Sequence, residues 1–375
     1  TLIKIKKLIN LRMDNILITG GAGYLGSHAC LNLLEAGYGI YIVDSLENSS
    51  FESISRVYSY FKEKNKFSDN KIKFFKADIT NIEKIKIIFE DALINNNRIT
   101  AVLHFAGLKA VSESEENPIK YWEYNVSGSI NLFKVMELYD CKNIVFSSSA
   151  AVYGNNQNCP IKEDSSLIPS NVYGKTKKTI EEILTDLHFR KNWGVAILRY
   201  FNPVGAHHSG LIGENPISNK NNLFPIICEV SKNKNKKLYI YGDDWPTRDG
   251  TCSRDYIHVE DIIDGHEKAL SLLLNSHNNF IKVNLGTGKG TTVLELINTF
   301  KKINEIDIEY EFSDRRIGDC GVLFADNSLS NSILNWKARK TLDDICKDGW
   351  RWVLKNPNGY IKNLEDLELS IYCEV

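Results

Sequence analysis

A tyrosine and a lysine stand four positions apart, at Tyr173 and Lys177, in a stretch whose apolar spacing predicts a helix over Tyr173–Phe189. Helical residues four positions apart share one face. A phenol with an ordinary pKa near ~10 is a poor base at neutral pH, but an adjacent ammonium group stabilises its phenolate. Ser149 ends a predicted strand 24 residues earlier and can donate a hydrogen bond to a substrate oxygen. Spacing alone is more typical of a surface pair, whereas the serine at the strand end favours a catalytic set of Ser149, Tyr173 and Lys177.

A glycine-rich turn at residues 20–26, Gly-Gly-Ala-Gly-Tyr-Leu-Gly, follows the apolar run Ile16–Thr19 and precedes a helical pattern. Without Cβ atoms the backbone can turn tightly and approach a pyrophosphate at the N-terminus of the next helix. Asp44 ends the following predicted strand, 18 residues after Gly26. That is close to the spacing at which an acid binds the ribose hydroxyls and repels a 2′-phosphate. A purely structural turn is the alternative, but this context predicts dinucleotide binding and favours NAD over NADP.

Both motifs need a scaffold, and the first 200 residues alternate between apolar strand patterns and helical patterns. The predicted strands are Ile16–Thr19, Ile40–Val43, Ile72–Lys76, Ala101–Phe105, Asn143–Phe146 and Val195–Arg199, and the predicted helices are Tyr24–Ala36, Ile82–Leu93, Ile119–Leu138 and Tyr173–Phe189. Hydrophobic strands separated by helices are typical of a parallel sheet covered on both faces. The pattern therefore predicts an α/β protein with a Rossmann-type doubly wound parallel sheet.

The domain organisation follows from where this alternation loosens. We expect an NAD-binding Rossmann domain over 14–203, joined by a further strand near 283–286, and a smaller mixed α+β substrate domain over 204–360. Residues 1–13 are expected to be an N-terminal extension and residues 361–375 a C-terminal tail. The loop rich in Gly, Asn, His and Pro after Pro203 marks the expected change of domain.

Composition excludes several classes of function. The chain has 375 residues, with 46 Lys and Arg against 47 Asp and Glu, which gives no electrostatic case for a nucleic-acid partner. No apolar run approaches the ~18 residues of a membrane-spanning helix. The 8 cysteines are scattered singly, which indicates free thiols and favours the cytoplasm. His207, His208 and His258 have no third ligand at a suitable spacing, so we expect no metal site.

With these motifs in order, the sequence resembles the extended short-chain dehydrogenase/reductase family, and within that family the UDP-glucose 4-epimerases. The resemblance covers roughly residues 14–360. It rests on five ordered segments, which are Ile-Thr-Gly-Gly-Ala-Gly-Tyr-Leu-Gly-Ser-His (18–28), His-Phe-Ala-Gly-Leu-Lys-Ala-Val (104–111), Phe-Ser-Ser-Ser-Ala-Ala-Val-Tyr-Gly (146–154), Arg-Tyr-Phe-Asn-Pro-Val-Gly-Ala-His (199–207) and Arg-Asp-Tyr-Ile-His-Val (254–259).

The resemblance implies a reversible epimerisation of UDP-galactose and UDP-glucose at C4, an isomerase reaction of galactose metabolism with tightly bound NAD. In the implied mechanism the Tyr173 phenolate, supported by Lys177, removes the proton of the 4-hydroxyl while C4 delivers hydride to NAD. The 4-keto sugar then turns, and hydride returns to its opposite face. The resemblance also implies that the protein is a homodimer and that its substrate is a UDP-sugar.

The resemblance further assigns residues to the two ligands. The residues that it places around the NAD are Gly20, Gly23, Tyr24, Leu25, Gly26, Asp44, Asn48, Ser49, Asp78, Ile79, Phe105, Ala106, Gly107, Lys109, Asn125 and Tyr200. The residues that it places around the UDP-sugar are Phe201, Asn202, Asn222, Leu223, Leu238, Tyr239, Tyr241, Arg254, Arg316, Asp319 and Leu323. The two arginines suit phosphate oxygens, which a guanidinium group can bind in a fork.

Three alternatives stay open. Leu323 stands where the family has a bulky Tyr in forms restricted to glucose and galactose and a small residue in forms that accept N-acetylhexosamines, so an additional activity on UDP-N-acetylhexosamines is open. Ala150 and Ala151 stand where nucleotide-sugar 4,6-dehydratases usually carry an Asp-Glu pair, which disfavours that reaction. An NAD-binding sensor without activity is the third alternative, and such proteins typically lack the Tyr173/Lys177 pair.

Overall fold

The computed structural model describes residues 14–65, 71–155, 158–215, 222–233, 236–276, 279–316, 319–360 and 372–374. The expected N-terminal extension, and residues 361–371 and 375 of the expected tail, lie outside the described residues. Within the described ranges, no helix combines the length and the apolarity needed to cross a membrane.

The elements alternate along the chain as the sequence predicts. The strands are β1 (Asn15–Thr19), β2 (Gly39–Asp44), β3 (Ile72–Lys76), β4 (Ile99–His104), β5 (Asn143–Ser149), β6 (Gly194–Tyr200), β7 (Asn202–Val204), β8 (Leu238–Tyr241), β9 (Ser253–Arg254), β10 (Tyr256–His258), β11 (Phe280–Leu285), β12 (Thr291–Thr292), β13 (Tyr310–Ser313), β14 (Val322–Leu323) and β15 (Tyr372–Glu374). The α-helices are α1 (Tyr24–Glu35), α2 (Phe51–Asn65), α3 (Ile82–Ile94), α4 (Val111–Glu116), α5 (Pro118–Tyr121), α6 (Gly128–Leu138), α7 (Val172–Lys191), α8 (Leu223–Lys232), α9 (Val259–Asn275), α10 (Val293–Asn304), α11 (Ser328–Leu334) and α12 (Leu342–Lys355).

A parallel sheet forms the centre of the fold, with strands in the order β11-β6-β5-β4-β1-β2-β3 and the short β15 beside β3. Every residue of β1 and β2 is buried, which is why these strands are continuous apolar runs rather than alternating ones. Helices α1, α2 and α9 pack on one face of the sheet, and α3, α6 and α7 pack on the other. The prediction of a Rossmann-type doubly wound fold is confirmed.

A second hydrophobic core lies outside the sheet. It is built from α8, α10 and α12 with strands β8 and β10, and it includes Phe224, Phe300 and Trp350. The small sheets of this region pair β7 with β10, β8 with β13, and β9 with β12 and β14. The chain does not divide cleanly at the expected boundary 203/204. After the first elements of the mixed region, α9 and β11 return to the first core.

One predicted helix has an irregular centre. The pattern predicts a continuous helix over 119–138, whereas the structure has α5, a π-helical segment over Trp122–Ser127, and then α6. The π-helical segment contains Asn125, which is 1% exposed. Its side-chain oxygen accepts from Leu108 N at 2.7 Å, and its amide nitrogen donates to Thr176 Oγ1 at 3.0 Å. Hydrophobic periodicity cannot predict the π-helical segment, because the wider helical turn accompanies hydrogen bonds from the polar Asn125 to two distant segments.

Candidate active site

The glycine turn lies where the strand order reverses between β1 and β4, at the carboxyl ends of the strands, which is the position where such sheets form a ligand crevice. Gly20 has a φ of +68°, and a Cβ there would lie 2.8 Å from Ala106 N. A Cβ on Gly26 would lie 2.2 Å from Gly20 O and 2.6 Å from Gly21 Cα. Only glycine therefore lets the turn pack this closely on itself and on the loop after β4.

The first turn of α1 is prepared for an anion. Its cap residue Gly23 has no side chain to accept from the backbone N–H groups, and no acidic residue occupies the first turn. The positive end of a helix whose N–H groups lack protein partners favours a phosphate group. These observations fit the pyrophosphate of a dinucleotide. The Tyr24 side chain makes a different contact, because its hydroxyl donates to Gly205 O at 2.7 Å.

Asp44 ties the glycine turn to the end of β2. One carboxylate oxygen accepts from Ala22 N at 2.9 Å, and the other accepts from Leu46 N at 2.9 Å and from Ser49 Oγ at 2.7 Å. Burial raises the pKa of Asp44, and the hydrogen bonds from Leu46 and Ser49 offset part of that effect. The acid that the spacing singles out therefore organises the glycine turn. Asn48, two residues after Leu46, is exposed at the same edge.

The loops after β3 and β4 complete this side of the crevice. Asp78 accepts from the backbone and hydroxyl of Thr80 at 2.8 and 2.7 Å, and Ile79 is buried against Gly128. Gly107 has a φ of +151°, and a Cβ there would lie 3.1 Å from Asn125 Oδ1.

Two further residues of this loop region were assigned to the cofactor, and they differ in exposure. The half-buried Phe105 packs 5.0 Å from the His266 ring, measured between ring centroids. Lys109 forms a part-exposed ion pair with Glu214, with 3.2 Å between Nζ and Oε1.

The structure brings the predicted catalytic set together. Lys177 is 4% exposed, donates from Nζ to Ser147 O at 2.9 Å, and lies 4.8 Å from the centre of the Phe146 ring. Burial lowers the pKa of Lys177 to about 8, and the negative charge of Glu181 opposes that shift. Tyr173 is 7% exposed, and the Lys177 ammonium lies 5.9 Å from the centre of its ring.

The Ser149 hydroxyl influences the pKa of Tyr173. Burial raises the pKa of Tyr173 to about 12, and a hydrogen bond with the Ser149 hydroxyl opposes the rise. The serine also caps the short 3-10 turn that follows β5, because its Oγ accepts from Ala151 N at 3.2 Å. A phenol, an ammonium and a hydroxyl thus converge at the carboxyl end of β5, and they can hold or move a proton at one oxygen of a ligand.

Several supporting residues have no signal in the sequence patterns. Thr176 Oγ1 donates to Tyr173 O at 2.7 Å and accepts from Asn125. Ser147 Oγ lies 2.7 Å from His266 Nε2, and the Ser147 side chain also opposes the rise in the pKa of Tyr200 that burial causes. Burial lowers the pKa of His266 to about 4, so its ring is neutral near neutral pH. His266 belongs to α9, more than 100 residues after β5, and only the fold shows that the two meet.

The residues assigned to the substrate fall into two groups. Arg254 and Leu323 are register partners on β9 and β14. Leu323 packs against the apolar cluster that contains Phe201 and Ala150. Asn202 opposes Tyr256 in the β7–β10 pair.

The second group lies on β8 and the loop near 316. Arg316 lies 4.6 Å from the centre of the Tyr241 ring and pairs with Asp319, with 3.1 Å between Nε and Oδ2. Tyr239 and Tyr241 are 52% and 37% exposed, whereas Leu238 is 1% exposed in the second core. The Leu238 side chain therefore faces away from any open ligand site. Asn222 and Leu223 stand at the N-terminus of α8.

In the folded structure, the histidines considered as metal ligands lie close to carboxylates that could complete a ligand set. His207 and His208 meet Glu260, and His258 meets Glu260 and Asp348. The reasoning from spacing missed Glu260 because it lies 52 residues after His208. Each carboxylate already has a cation within the described residues, however. Lys340 Nζ lies 2.7 Å from Glu260 Oε2, and Arg351 Nη1 lies 2.7 Å from Asp348 Oδ1. The cluster has the charge balance of a structural ion-pair network.

The fold and the site together define a dinucleotide-binding enzyme with a Ser, Tyr and Lys set at the end of a Rossmann-type sheet. A family profile described as GDP-mannose 4,6 dehydratase matches residues 17–349. Two curated relatives are the UDP-glucose 4-epimerases of Bacillus subtilis (strain 168), 47% identical over 92% of this chain and 98% of its own, and of Dictyostelium discoideum, 45% identical over 92% and 98%.

Solved structures agree with this similarity. The UDP-glucose-4-epimerase of Stenotrophomonas maltophila, with bound NAD and formylated UDP-arabinopyranose, is 43% identical, has a TM-score of 0.85, and covers 92% of this chain and 99% of its own. The chain belongs to the UDP-glucose 4-epimerase family, a branch of the extended short-chain dehydrogenases/reductases.

Proposed function

We propose that this protein interconverts UDP-galactose and UDP-glucose by epimerisation at C4 of the hexose, with tightly bound NAD. The reaction is an isomerisation of galactose metabolism and passes through a 4-keto sugar. The observation that carries this function is the buried contact set of Ser149, Tyr173 and Lys177 beside the glycine turn. The UDP-glucose 4-epimerases that match nearly the whole chain support it.

Tyr173 is the acid/base group for the sugar 4-hydroxyl. Because burial raises its pKa to about 12, it needs nearby positive charge to act as a phenolate close to neutral pH. Lys177 supplies such a charge, since a pKa of about 8 keeps most of it protonated at neutral pH. Ser149 donates a hydrogen bond to the sugar oxygen while the proton moves to Tyr173, and the same proton returns to that oxygen in the second half-reaction. Bound NAD supplies the hydride acceptor and later the hydride donor.

The fit of NAD rests on the uncapped first turn of α1, the glycine packing and Asp44. We assign the pyrophosphate to residues 20 and 23–26, the adenosine ribose and a nearby phosphate to Asp44, Asn48 and Ser49, the adenine to Asp78 and Ile79, and the nicotinamide half to Phe105, Ala106, Gly107, Lys109, Asn125 and Tyr200. Asn125 acts by holding the loop after β4, since both ends of its side chain bind Leu108.

The UDP-sugar is assigned to the opposite side of the crevice. Arg254 and Arg316 suit the two phosphates, and the remaining assigned residues are Phe201, Asn202, Asn222, Leu223, Leu238, Tyr239, Tyr241, Asp319 and Leu323. Leu238 contributes backbone atoms only, because its side chain is buried in the second core.

We further propose that the pocket accepts UDP-N-acetylhexosamines. Leu323 is shorter than the tyrosine of restricted forms and packs at the apolar wall with Phe201. A UDP-Glc/GlcNAc 4-epimerase from Campylobacter jejuni, 34% identical with a TM-score of 0.76, shows that the fold can carry both activities.

A 4,6-dehydratase reaction is not favoured. Eliminating water needs an acid/base pair next to the serine, and the structure has Ala150 there, 5% exposed within an apolar cluster. Ala151, the next residue, offers only its backbone N–H, which donates to Ser149.

A coupled assay that detects UDP-glucose formed from UDP-galactose tests the function directly. The Tyr173→Phe variant should fold and retain NAD, and its turnover should fall by about 10²–10⁴-fold. Tyr139→Phe is the matched control, because that hydroxyl donates to Glu90 on the exposed surface of α3. Near-normal turnover by Tyr173→Phe would refute the assignment, and NAD retention without any conversion by the unchanged protein would favour a sensor.

We also propose a cytoplasmic homodimer with no nucleic-acid partner. Ile119 and Phe189 expose 80% and 68% of their surfaces on the helical layer that contains α5 and α7, which supports contact with a second copy. The near-zero net charge argues against a polyanion, and the seven cysteines from Cys30 to Cys346 are free. Sedimentation equilibrium of the purified protein measures the oligomeric state, and a monomer at all concentrations would exclude the dimer.

A further inference from the structure

Three consecutive serines at the end of β5, residues 147–149, contact three residues on one face of α7. Lys177 Nζ donates to the carbonyl of the first serine at 2.9 Å. The hydroxyl of the second donates to Glu181 Oε1 at 2.5 Å. The hydroxyl of the third lies beside the Tyr173 phenol and opposes the rise of its pKa. Residues spaced by four along a helix form one row, so the three serines together meet three successive turns of α7, with the second serine at the turn of Glu181.

The proposed function uses two members of this row and leaves Glu181 without a task. A buried charge needs such a task or a partner, because it loses its hydration. Glu181 has a partner in Arg199 of β6, which donates from Nε at 2.9 Å and from Nη2 at 2.6 Å to the two carboxylate oxygens. The side chains of Arg199 and Glu181 are 1% and 2% exposed. This fork geometry fixes the carboxylate in orientation as well as in position.

The arginine is held in turn by groups on other elements. Arg199 Nη1 donates to Tyr153 Oη at 2.9 Å and to Glu163 O at 3.0 Å. Tyr153 donates to Asn284 Oδ1 of β11 at 2.7 Å, and Asn284 N donates to Glu163 Oε1 at 2.7 Å. Glu181 is therefore the point at which a rigid network spanning three strands of the sheet meets the catalytic helix.

We propose that Glu181 is a positioning residue for the reaction, which holds α7 in register with the three serines and keeps Lys177 as an ammonium beside Tyr173. The proposal rests on the proposed function for its catalytic meaning. Two of its effects are separable, since the register depends on hydrogen bonds and the protonation of Lys177 depends on charge.

The charges around Lys177 support the second effect. Burial is the main influence on its pKa and lowers it, and Glu181 is the group whose charge opposes burial. The two histidines near Lys177 carry no charge near neutral pH, because burial lowers the pKa of His104 on β4 to about 3 and of His266 on α9 to about 4. Burial raises the pKa of Tyr173 to about 12, so it is a phenol until the reaction requires its phenolate. Arg199 lies beyond Glu181 and has the sign that would disfavour the ammonium.

The test is the Glu181→Gln variant of the full-length protein, followed by the pH profile of kcat for UDP-galactose. At a separation of one helical turn, loss of the anion should lower the pH at which Lys177 loses its proton by about one to two units. The alkaline limb of the kcat profile should move down by the same amount, while KM changes by less than about threefold. An unmoved limb, with kcat reduced only in proportion to the folded fraction, would overturn the proposal.

A second variant covers the case in which a lone buried Arg199 prevents folding. Glu181→Gln combined with Arg199→Met removes both charges, and such paired replacements are often tolerated. It should recover the thermal midpoint and leave the limb below its original position, because the charge of Glu181 is nearer to Lys177 than that of Arg199. A limb at its original position would contradict the charge effect. His188→Gln is the matched control, because His188 is buried near the other end of α7 and bonds to Trp193 O at 2.8 Å. It should lower stability without moving the limb.

A readout that needs no turnover separates this proposal from the proposed function. The urea midpoint of Glu181→Gln is compared across pH with that of Glu181→Gln/Lys177→Met, and the same comparison is made without the Glu181 change. Within each pair of proteins, the difference between the two urea midpoints stays constant while Lys177 keeps its proton in the folded state. The pH at which this difference begins to change therefore reports proton loss from Lys177 in the folded state. If this pH moves down but no variant epimerises UDP-galactose, the positioning role stands and the proposed reaction falls. If it does not move, the proposal fails whatever the activity, because Glu181 then does not keep Lys177 protonated.

Discussion

Replacing Lys177 by Met should separate the stability of this protein from its chemistry. Burial lowers the pKa of Lys177 from 10.5 to about 8. One pKa unit corresponds to about 1.4 kcal/mol, so the protonated side chain lowers the free energy of unfolding by about 3 kcal/mol at neutral pH. The Lys177→Met variant removes this cost, although it also leaves Ser147 O without its donor, at about 1–3 kcal/mol. The net change at neutral pH is therefore small.

The pH dependence of the difference is the informative quantity. Between pH about 8 and 10.5 the unfolded chain binds the Lys177 proton and the folded protein does not, so the stability of the unchanged protein rises with pH over this window. Relative to Lys177→Met, its free energy of unfolding should rise by about 2–3 kcal/mol between neutral pH and pH ~10. The missing hydrogen bond affects both ends of the range equally and cancels.

Urea denaturation followed by tryptophan fluorescence, at matched NAD occupancy, measures this difference across pH. Lys175→Met is the control, because Lys175 lies exposed on the same helix and should give a difference that is flat with pH. The turnover of Lys177→Met should fall by about 10²–10⁴-fold, since the Tyr173 phenolate loses its cation. A stability difference between Lys177→Met and the unchanged protein that is constant across pH would show that Lys177 is not held as a strained ammonium, and the reasoning would fail.

Four further substitutions test the crevice. Gly26→Ala should abolish NAD binding and lower the thermal midpoint, because the new Cβ would lie 2.2 Å from Gly20 O. Gly23→Ala should weaken NAD binding less, because its new Cβ would lie 3.2 Å from the nearest atom. Equal NAD affinities of the two variants would contradict this. Asp44→Asn should weaken NAD binding at least about tenfold by isothermal titration, because an amide NH₂ replaces an acceptor of Ala22 N or Leu46 N; unchanged affinity would refute the role. Leu323→Tyr should reduce kcat/KM for UDP-N-acetylgalactosamine while sparing UDP-galactose, and parallel losses on both substrates would sink the proposed selectivity role.

The first half of the fold was predictable because its signals are local. A strand such as β2 is buried on both faces, so its apolar run can be recognised without knowing its neighbours. The glycine turn is similar, since its function depends on the backbone of a few consecutive residues. Predicted strand and helix limits in this half agree with the structure to within about three residues. The exceptions are the π-helical segment near Asn125 and the helices α2 and α4, which no pattern indicated.

The second half was less predictable because its contacts join distant positions. Arg254 and Leu323 become neighbours only when β9 and β14, two residues each, pair in parallel. Strands this short carry no periodicity that a sequence can show. The residues His266, Glu181 and Glu260 were missed for the same reason, since each gains its meaning from a partner at least 18 residues away.

The end of β5 shows why burial and function meet at this place. Successive side chains of a strand point to opposite faces, so the Ser147 hydroxyl reaches His266 on α9 and the Ser148 hydroxyl reaches Glu181 on α7. The strand is thus held from both helical layers immediately before Ser149, whose hydroxyl is left to meet Tyr173 at the strand end. Because both clamps are buried, Ser149 has little freedom, and a fixed donor costs less reorganisation when charge develops on a substrate oxygen. The burial that holds the serine also raises the pKa of Tyr173 and lowers the pKa of Lys177. The fixed position of the serine and the shifted pKa values of its two neighbours therefore have one structural cause.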